Sequence, residues 1–479
     1  MLPLAKVSVV IEHYAPYFTV VFSPEAFLHF KRLLSGLLLN ENKTIEAINR
    51  LFFLETKHAN SLNYFINHSP FDLAHLNECR LELLQDNERT KMKSEGRAAG
   101  VLIIDDTLLE HYGKKIEGIH KLYDHVKECY VYAHNLVTLH YSDDHCDYPI
   151  YHELWLPMNV EKMERKMEAL NIRLNEKYQN NKTTKPAEWR RYLMNRYFTK
   201  ISKTPQLREV YETKLHIAQR QIQRFYQEQD HQRLPVTFDI WYTQPQMCHF
   251  IDQKLGKSYV GQLKSDEELI LSGSRHLSLE VYTKELIEQH YDNQHSFRFQ
   301  KTTVPYKGSK EVYYTYCATR SFDRFGKQRL VISFSNDDDF RKANPRFFIT
   351  NRKHWNASGI CRISRHRWPV EVFHQEGKAE GLDQYQLRNF TAIQRHIALV
   401  VVVYSILQRA RYDDTLLPKL QYQLESELLG SLANWRRLFK ANAFYDLVDW
   451  IYSSASTEAS STADLNQLLR PLMQTIAYS

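Results

Sequence analysis

Cysteine is sparse and scattered in this chain: Cys79, Cys129, Cys146, Cys248, Cys317 and Cys361 form no C-x-x-C pair. Such spacing argues against a zinc ribbon or a disulfide scaffold and suits a reducing compartment. Glycine and proline are few, 14 and 15 in 479 residues, so the pattern contains no flexible or low-complexity linker. A compact chain with a large core is expected instead. Long apolar runs are lacking too. The longest, IALVVVVYSIL at Ile397–Leu407, spans 11 residues, whereas a membrane span needs about 20. It reads as a buried helix, and no membrane partner is expected. The opening MLPLAKVSVVIEHYAPYF lacks an uninterrupted apolar stretch with a cleavage site, so a cytoplasmic location is expected. With no G-x-x-x-x-G-K-[ST] motif, ATP is not expected to drive the chemistry.

What the sequence does contain is a modest excess of positive charge and many aromatics. Lys and Arg number 63 against 56 Asp and Glu, a net +7, and 13% of residues are aromatic. A basic excess of this size suggests an acidic partner. Residues 24 to about 95 read as helical, opening at Ser23–Pro24, an N-cap with proline in the first turn. Strand texture follows in VLIID, VYAHNLVTLHY and YPIYHELWL. A long charged helical stretch then begins near Asn159. Two more strands, LPVTFD and SYVGQLK, flank a further helix. Residues from about 266 to 360 are mixed, with strands in EVYYTYCATRSF, RLVISFS and RFFITN, and from Arg365 onward the chain reads as helical. Antiparallel strands followed by βαβ units predict a mixed α/β sheet with helices on both faces.

Two of these strands run from aliphatic residues into aspartate: VLIIDDT brings Asp105 and Asp106, and LPVTFD brings Asp239. If the two strands lie parallel and adjacent, their carboxylates converge at the edge where α/β sheets bind ligands. A third element is RHRWPVEVFHQEGKAEGLDQYQ, with Pro369 in the first turn of a helix starting near Arg367 or Trp368. At about 100° per residue, Glu371 lies about 40° and Lys378 about 20° from Arg367, one polar stripe. By itself such a stripe fits a solvated i,i+4 ion pair. Two strand-borne aspartates and a helix-borne glutamate are, however, a donor set for two divalent cations about 3.5–4 Å apart that promote in-line phosphoryl displacement. Hard oxygen ligands suit Mg²⁺, and Arg367 and Lys378 would neutralise backbone phosphates.

With R-x3-E-x6-K intact at Arg367, Glu371 and Lys378, with D-x-T at Asp105 and Thr107, and with VTFDIWYTQPQMCHFI around Asp239, the chain resembles the DDE transposases of bacterial insertion sequences. The downstream EGLDQYQLRNFTAIQRHIALVVVVYSIL is similar to that family's closing helices. The resemblance implies a ribonuclease-H-like mixed sheet flanked by helices, a β-rich insertion between the second Asp and the Glu, and an N-terminal helical domain. The implied division is 1–97, an N-terminal helical part expected to bind DNA ends; 98–265, the first part of the catalytic core; 266–360, the insertion; 361–410, the second part of the core; and 411–479, a C-terminal helical region. Asp105, Asp239 and Glu371 become the expected catalytic metal ligands, with Asp106 the alternative to Asp105. Mg²⁺, with Mn²⁺ as substitute, is the expected cofactor. Double-stranded DNA, as element ends and target, is the expected partner, and a homodimer the expected form on paired ends. The expected activity is cleavage at the element ends and transfer of the freed 3′-OH. A non-catalytic, domesticated DNA-binding protein is the alternative, and a nuclease that cuts without joining is a third reading.

The resemblance breaks at one position: Ser364 stands where the family signature has tyrosine, so altered handling of the DNA end is expected. Arg352, Lys353 and Trp355, in RKHWNASG, are further candidates for DNA contact, with Trp355 either stacking on an extruded base or packing as an ordinary aromatic. HYSDDHCDYPIYH gathers His140, His145, Cys146, Asp147 and His152, but its spacing matches no closed tetrahedral zinc motif.

Overall fold

The computed structural model describes residues 2–54, 60–94, 99–229, 233–271, 275–292, 298–336, 338–424, 429–458, 469–470 and 472–473. The expected boundary at 97–98 and much of the end of the C-terminal region lie outside them. Among the described residues twelve strands form one sheet: β1 Val101–Glu110, β2 His120–Asp124, β3 Cys129–Ser142, β4 Asp147–Trp155, β5 Val236–Phe238, β6 Tyr259–Leu263, β7 Glu268–Ile270, β8 His276–Ser278, β9 Gln300–Tyr306, β10 Ser309–Phe322, β11 Gly326–Phe334 and β12 Arg346–Thr350. The segment β4-β3-β1-β5-β6 has antiparallel β4, β3 and β1 beside parallel β1, β5 and β6. This is the ribonuclease-H-like order, and it is the mixed sheet that the strand pattern predicts.

Burial explains the register. Val101, Leu102, Ile103 and Ile104 are fully buried, as are Val236 and Phe238 opposite them. Each such side chain stabilises by about 1.5–3 kcal/mol, and a one-residue slip would turn Asp105 or Asp106 into the core. Alternation sends Leu102 and Ile104 into the main core, shared with Ile222, Phe225 and the helix Phe390–Ala410. Val101 joins a smaller cluster with Val260, Val331 and Phe348 beside the helix Ala357–Arg365. Phe390–Ala410 is long and apolar enough to cross a membrane, yet its face is taken up by the core: 78% of its most apolar window is buried. The N-terminal helices Pro24–Leu39 and Leu73–Gln85 pack into the same core.

Several elements depart from the pattern read in the sequence. β1 does not stop at Asp105: its ladder with β5 ends at Ile104, but β3 pairs with it as far as Glu110. The 14-residue β3 supplies hydrogen bonds well beyond the end of the three-residue β5. The strands of the insertion continue the central sheet, because β12 pairs with β6. The charged stretch after Asn159 breaks into the helices Val160–Ala169 and Pro186–Lys200 and shorter turns before the helix Lys214–Glu228. Asn171 with φ 55° ends the first, and Pro186 opens the second.

Gly261 follows from the tight lateral packing of β5 and β6. A Cβ there would lie 2.8 Å from the Phe238 ring and from Thr243 Oγ1, next to the turn that carries Asp239. Gly261→Ala is expected to cost about 1–3 kcal/mol through overpacking, read as a lower Tm in thermal denaturation. An unchanged Tm would show that this turn can shift freely.

Candidate active site

Asp105 and Asp239 come abreast because the last pair of the parallel ladder is Ile104↔Phe238. The aspartates are the next residue on each strand, and neighbouring strands are about 4.8 Å apart. On the other side Phe238 pairs with Gly261, so Gln262 stands beside Asp239. Asp239 is held by a turn: its Oδ1 accepts the Tyr242 N–H at 3.0 Å, and its carbonyl accepts the Thr243 N–H at 3.0 Å and Oγ1–H at 2.7 Å. Asp residues favour such turns because the side chain caps backbone donors that the chain reversal leaves open.

Asp105 and Asp106 part company as successive strand residues must. Asp106 is enclosed by donors: Lys214 Nζ at 2.9 and 3.0 Å, the Tyr242 hydroxyl at 2.8 Å and Asn135 Nδ2 at 2.6 Å. Burial and the adjacent Asp106 charge hold the Tyr242 phenol well above its ordinary range, so it keeps the proton it donates. Lys214 also lies 4.1 Å from the centre of the Trp241 ring, which is 43% exposed. Asp105 faces the other way, toward Arg367, whose Nη1 is 3.2 Å from its Oδ2. The Asp105 Oδ1 accepts the Asp106 N–H at 2.8 Å.

Arg367 links Asp105 to the third carboxylate. It immediately precedes the helix Trp368–Ala379, and its other terminal nitrogen is paired with Glu371 one turn on. A single guanidinium therefore stands between the Asp105 and Glu371 carboxylates. Burial, with Asp239 and then Asp106 adding their charge, pushes the Asp105 carboxyl up to about 8 against the opposing pull of Arg367. Burial, reinforced by Asp106, raises Asp239 as well. Among the described residues no three His, Cys, Asp or Glu side chains are grouped closely enough to hold a metal, and Glu371 is paired with Arg367. The donor set nonetheless fits a divalent cation. Asp105 and Asp239 are half-buried carboxylates whose like charges repel each other, and the positive group between the first aspartate and the glutamate is the Arg367 side chain.

Lys378 lines, with Asp105, Asp106 and Asp239, a cleft of about 930 Å³. Arg367 and Glu371 line an adjoining cavity of about 250 Å³, together with Ser364, Gln262 and Tyr313. Tyr313, from β10, thus lines the same cavity as Ser364. Trp355, Arg352 and Lys353 stand elsewhere. Arg352 Nε donates to Ser258 Oγ at 2.7 Å, before the start of β6, at the sheet edge opposite the one where β5 delivers Asp239. Trp355 packs against the Val260 and Phe348 cluster, and Lys353 is exposed. None of the three lines the cleft. The turn after β12 brings these residues to that edge because β12 runs antiparallel to β6. His140, from the histidine-rich stretch, is 3.2 Å from Asp147, which also accepts the Tyr404 hydroxyl at 2.8 Å.

Lys214, Asn135, Tyr242, Gln262 and Tyr313 carry no motif that marks them as site residues. Only Tyr242 could be suspected, from its place three residues after Asp239.

A family model described as DDE superfamily endonuclease matches residues 22–278. The match takes in both aspartates and ends before the Glu371 helix. No curated protein matches the chain.

The raised Asp105 carboxyl gives a signed prediction. Its folded value of about 8 lies above the ordinary 3.8, so the folded state binds the extra proton across that window. Stability therefore falls as pH rises through it. Without divalent metal, Asp105→Asn is expected to raise Tm above pH 8, the gain fading as pH drops into the ordinary carboxylate range. A lower Tm for Asp105→Asn at high pH would mean that the charged carboxylate is stabilising there.

Proposed function

The chain belongs to the DDE superfamily of endonucleases, and from that premise we propose that it is a transposase that cleaves DNA at the ends of its element and joins the freed 3′-OH to target DNA. The observation that carries this reading is the meeting of β1, β5 and the Glu371 helix, with Asp105 beside Asp239 and Arg367 reaching from Asp105 to Glu371. Membership implies a DNA substrate and a divalent metal in general terms. The finer reading assigns Mg²⁺, with Mn²⁺ as substitute, to Asp105, Asp239 and Glu371. When bound, the metal supplies positive charge that offsets the carboxylates and polarises the phosphate under attack.

The chain's own residues perform the remaining tasks. Asp105 and Asp239 are rigidly placed by the ladder behind them. Asp106, with its four hydrogen bonds from Lys214, Tyr242 and Asn135, orients the strand beside Asp105 and is assigned no metal. Arg367 passes from the carboxylates to a backbone phosphate when DNA enters, and Lys378 neutralises a second phosphate from the cleft wall. Water and then the 3′-OH are the successive nucleophiles, with no covalent enzyme intermediate. Tyr313 stands in for the ring that Ser364 lacks. The active form on paired ends is a homodimer acting in the cytoplasm.

Glu371→Gln separates this reading from a DNA-binding protein that only keeps the fold. The variant is expected to fold and bind DNA as the native protein does but to lose strand cleavage with Mg²⁺ or Mn²⁺, measured on a labelled duplex. Full cleavage by Glu371→Gln would remove this residue from the site.

A further inference from the structure

The chain's positive charge is concentrated in one place. Residues 159–213 hold 13 Lys and Arg against 7 Glu and no Asp, a balance of +6 where all 479 residues sum to +7. This stretch folds as a helical body with its own small core of Met163, Met167, Trp189, Leu193, Tyr197 and Leu207, separate from the main one. Lys166, Lys182 and Lys185 are paired with Glu209, Glu164 and Glu188. Arg173, Lys177, Arg190, Arg191, Lys203 and Arg208 are exposed and have no carboxylate partner among the described residues.

The body adjoins the cleft. Phe198, 54% exposed, lines the cleft with Asp105 and Asp239. Arg191 lies two turns earlier on the same helix, within about 20° of the Phe198 direction and about 10 Å further along the axis. The cleft itself repels a polyanion: six carboxylates line it against three lysines, and two of those lysines, Lys127 and Lys214, are already paired with Glu110 and Asp106. The cleft lining alone offers little attraction for a polyanion, and a neighbouring basic surface supplies it.

We propose that this helical body is the docking surface for the sugar-phosphate backbone of duplex DNA, which leaves it past Phe198 to enter the cleft. The proposal rests on the reading of the cleft as a DNA-cleaving site and gives that site its partner surface. Its side chains contact phosphates and not base edges, so binding here is independent of sequence and strongly dependent on salt.

The test uses full-length protein without divalent metal and a fluorescein-labelled mixed-sequence duplex, with anisotropy recorded across a salt series. The variant combines Arg190→Gln, Arg191→Gln, Lys203→Gln and Arg208→Gln, all at exposed positions. A companion carries Arg190→Lys, Arg191→Lys and Arg208→Lys to keep the charge, and melting curves check that both fold. The glutamine variant is expected to bind at least about tenfold more weakly at low salt, with the slope of log K against log salt flatter by about 0.9 for each phosphate no longer neutralised. The lysine variant is expected to keep the native slope. Native affinity and slope in the folded glutamine variant would overturn the proposal and leave the cleavage reading untouched. Failure of the cleavage reading shows separately, as native protein that binds duplex but does not cut it when Mg²⁺ or Mn²⁺ is added.

Discussion

Two aspartates set abreast on parallel strands repel each other across a poorly solvated gap, and much of the surrounding structure serves to hold them there. The ladder beneath them is buried and, apart from Thr237, aliphatic and aromatic, so the strands cannot slide apart to relieve the repulsion. Removing carboxylates from water is expensive unless charge or hydrogen bonds compensate. Arg367 compensates on the face of Asp105, while Lys214, Tyr242 and Asn135 do so on the face of Asp106. The two aspartates of the DD pair thus sit in unlike surroundings: Asp106 is enclosed by side-chain donors, whereas Asp105 is met by one guanidinium and one backbone N–H.

That asymmetry connects fold to function. Perturbed carboxyls gather where a site stores unfavourable charge for later use. At Asp105 the unfavourable charge is relieved by a cation, whether the Arg367 side chain or, in the proposed mechanism, a divalent metal. The Glu371 helix brings both Arg367 and its glutamate to the same point, and Lys378 closes the far wall of the cleft. The basic helical body beyond Phe198 adds what an acidic cleft lacks, a surface that attracts a polyanion.

The central part of this arrangement is legible in the sequence because its signals are local. An apolar run that ends in aspartate is visible as such, and β1 and β5 do lie parallel and adjacent. The 3.6-residue period places Arg367 and Glu371 one turn apart, where they pair. Features that depend on distant partners are not legible. Lys214 meets Asp106 across 108 residues of chain, and no spacing rule reports that. The run of β1 beyond Asp105 depends on the length of β3, and the continuity of the insertion with the sheet depends on the free edge of β6. Arg352 and Trp355 sit among basic residues that suggest a DNA contact, but strand direction carries them to the edge away from Asp239. The helical body is masked because its charged, helix-favouring composition resembles one long solvated helix. Only proline and a left-handed asparagine divide it.

The most direct measurement compares Asp105→Asn and Asp106→Asn in one metal-dependent duplex-cleavage assay, with melting curves to exclude unfolding. No cleavage is expected of Asp105→Asn, because it loses a charged ligand at the meeting point of the three elements. Asp106→Asn should keep measurable cleavage, since its loss loosens the network around Lys214 and Tyr242 without removing a ligand. A folded Asp106→Asn that is inactive beside an active Asp105→Asn would make Asp106 the metal ligand, and full activity in both would remove the pair from the site.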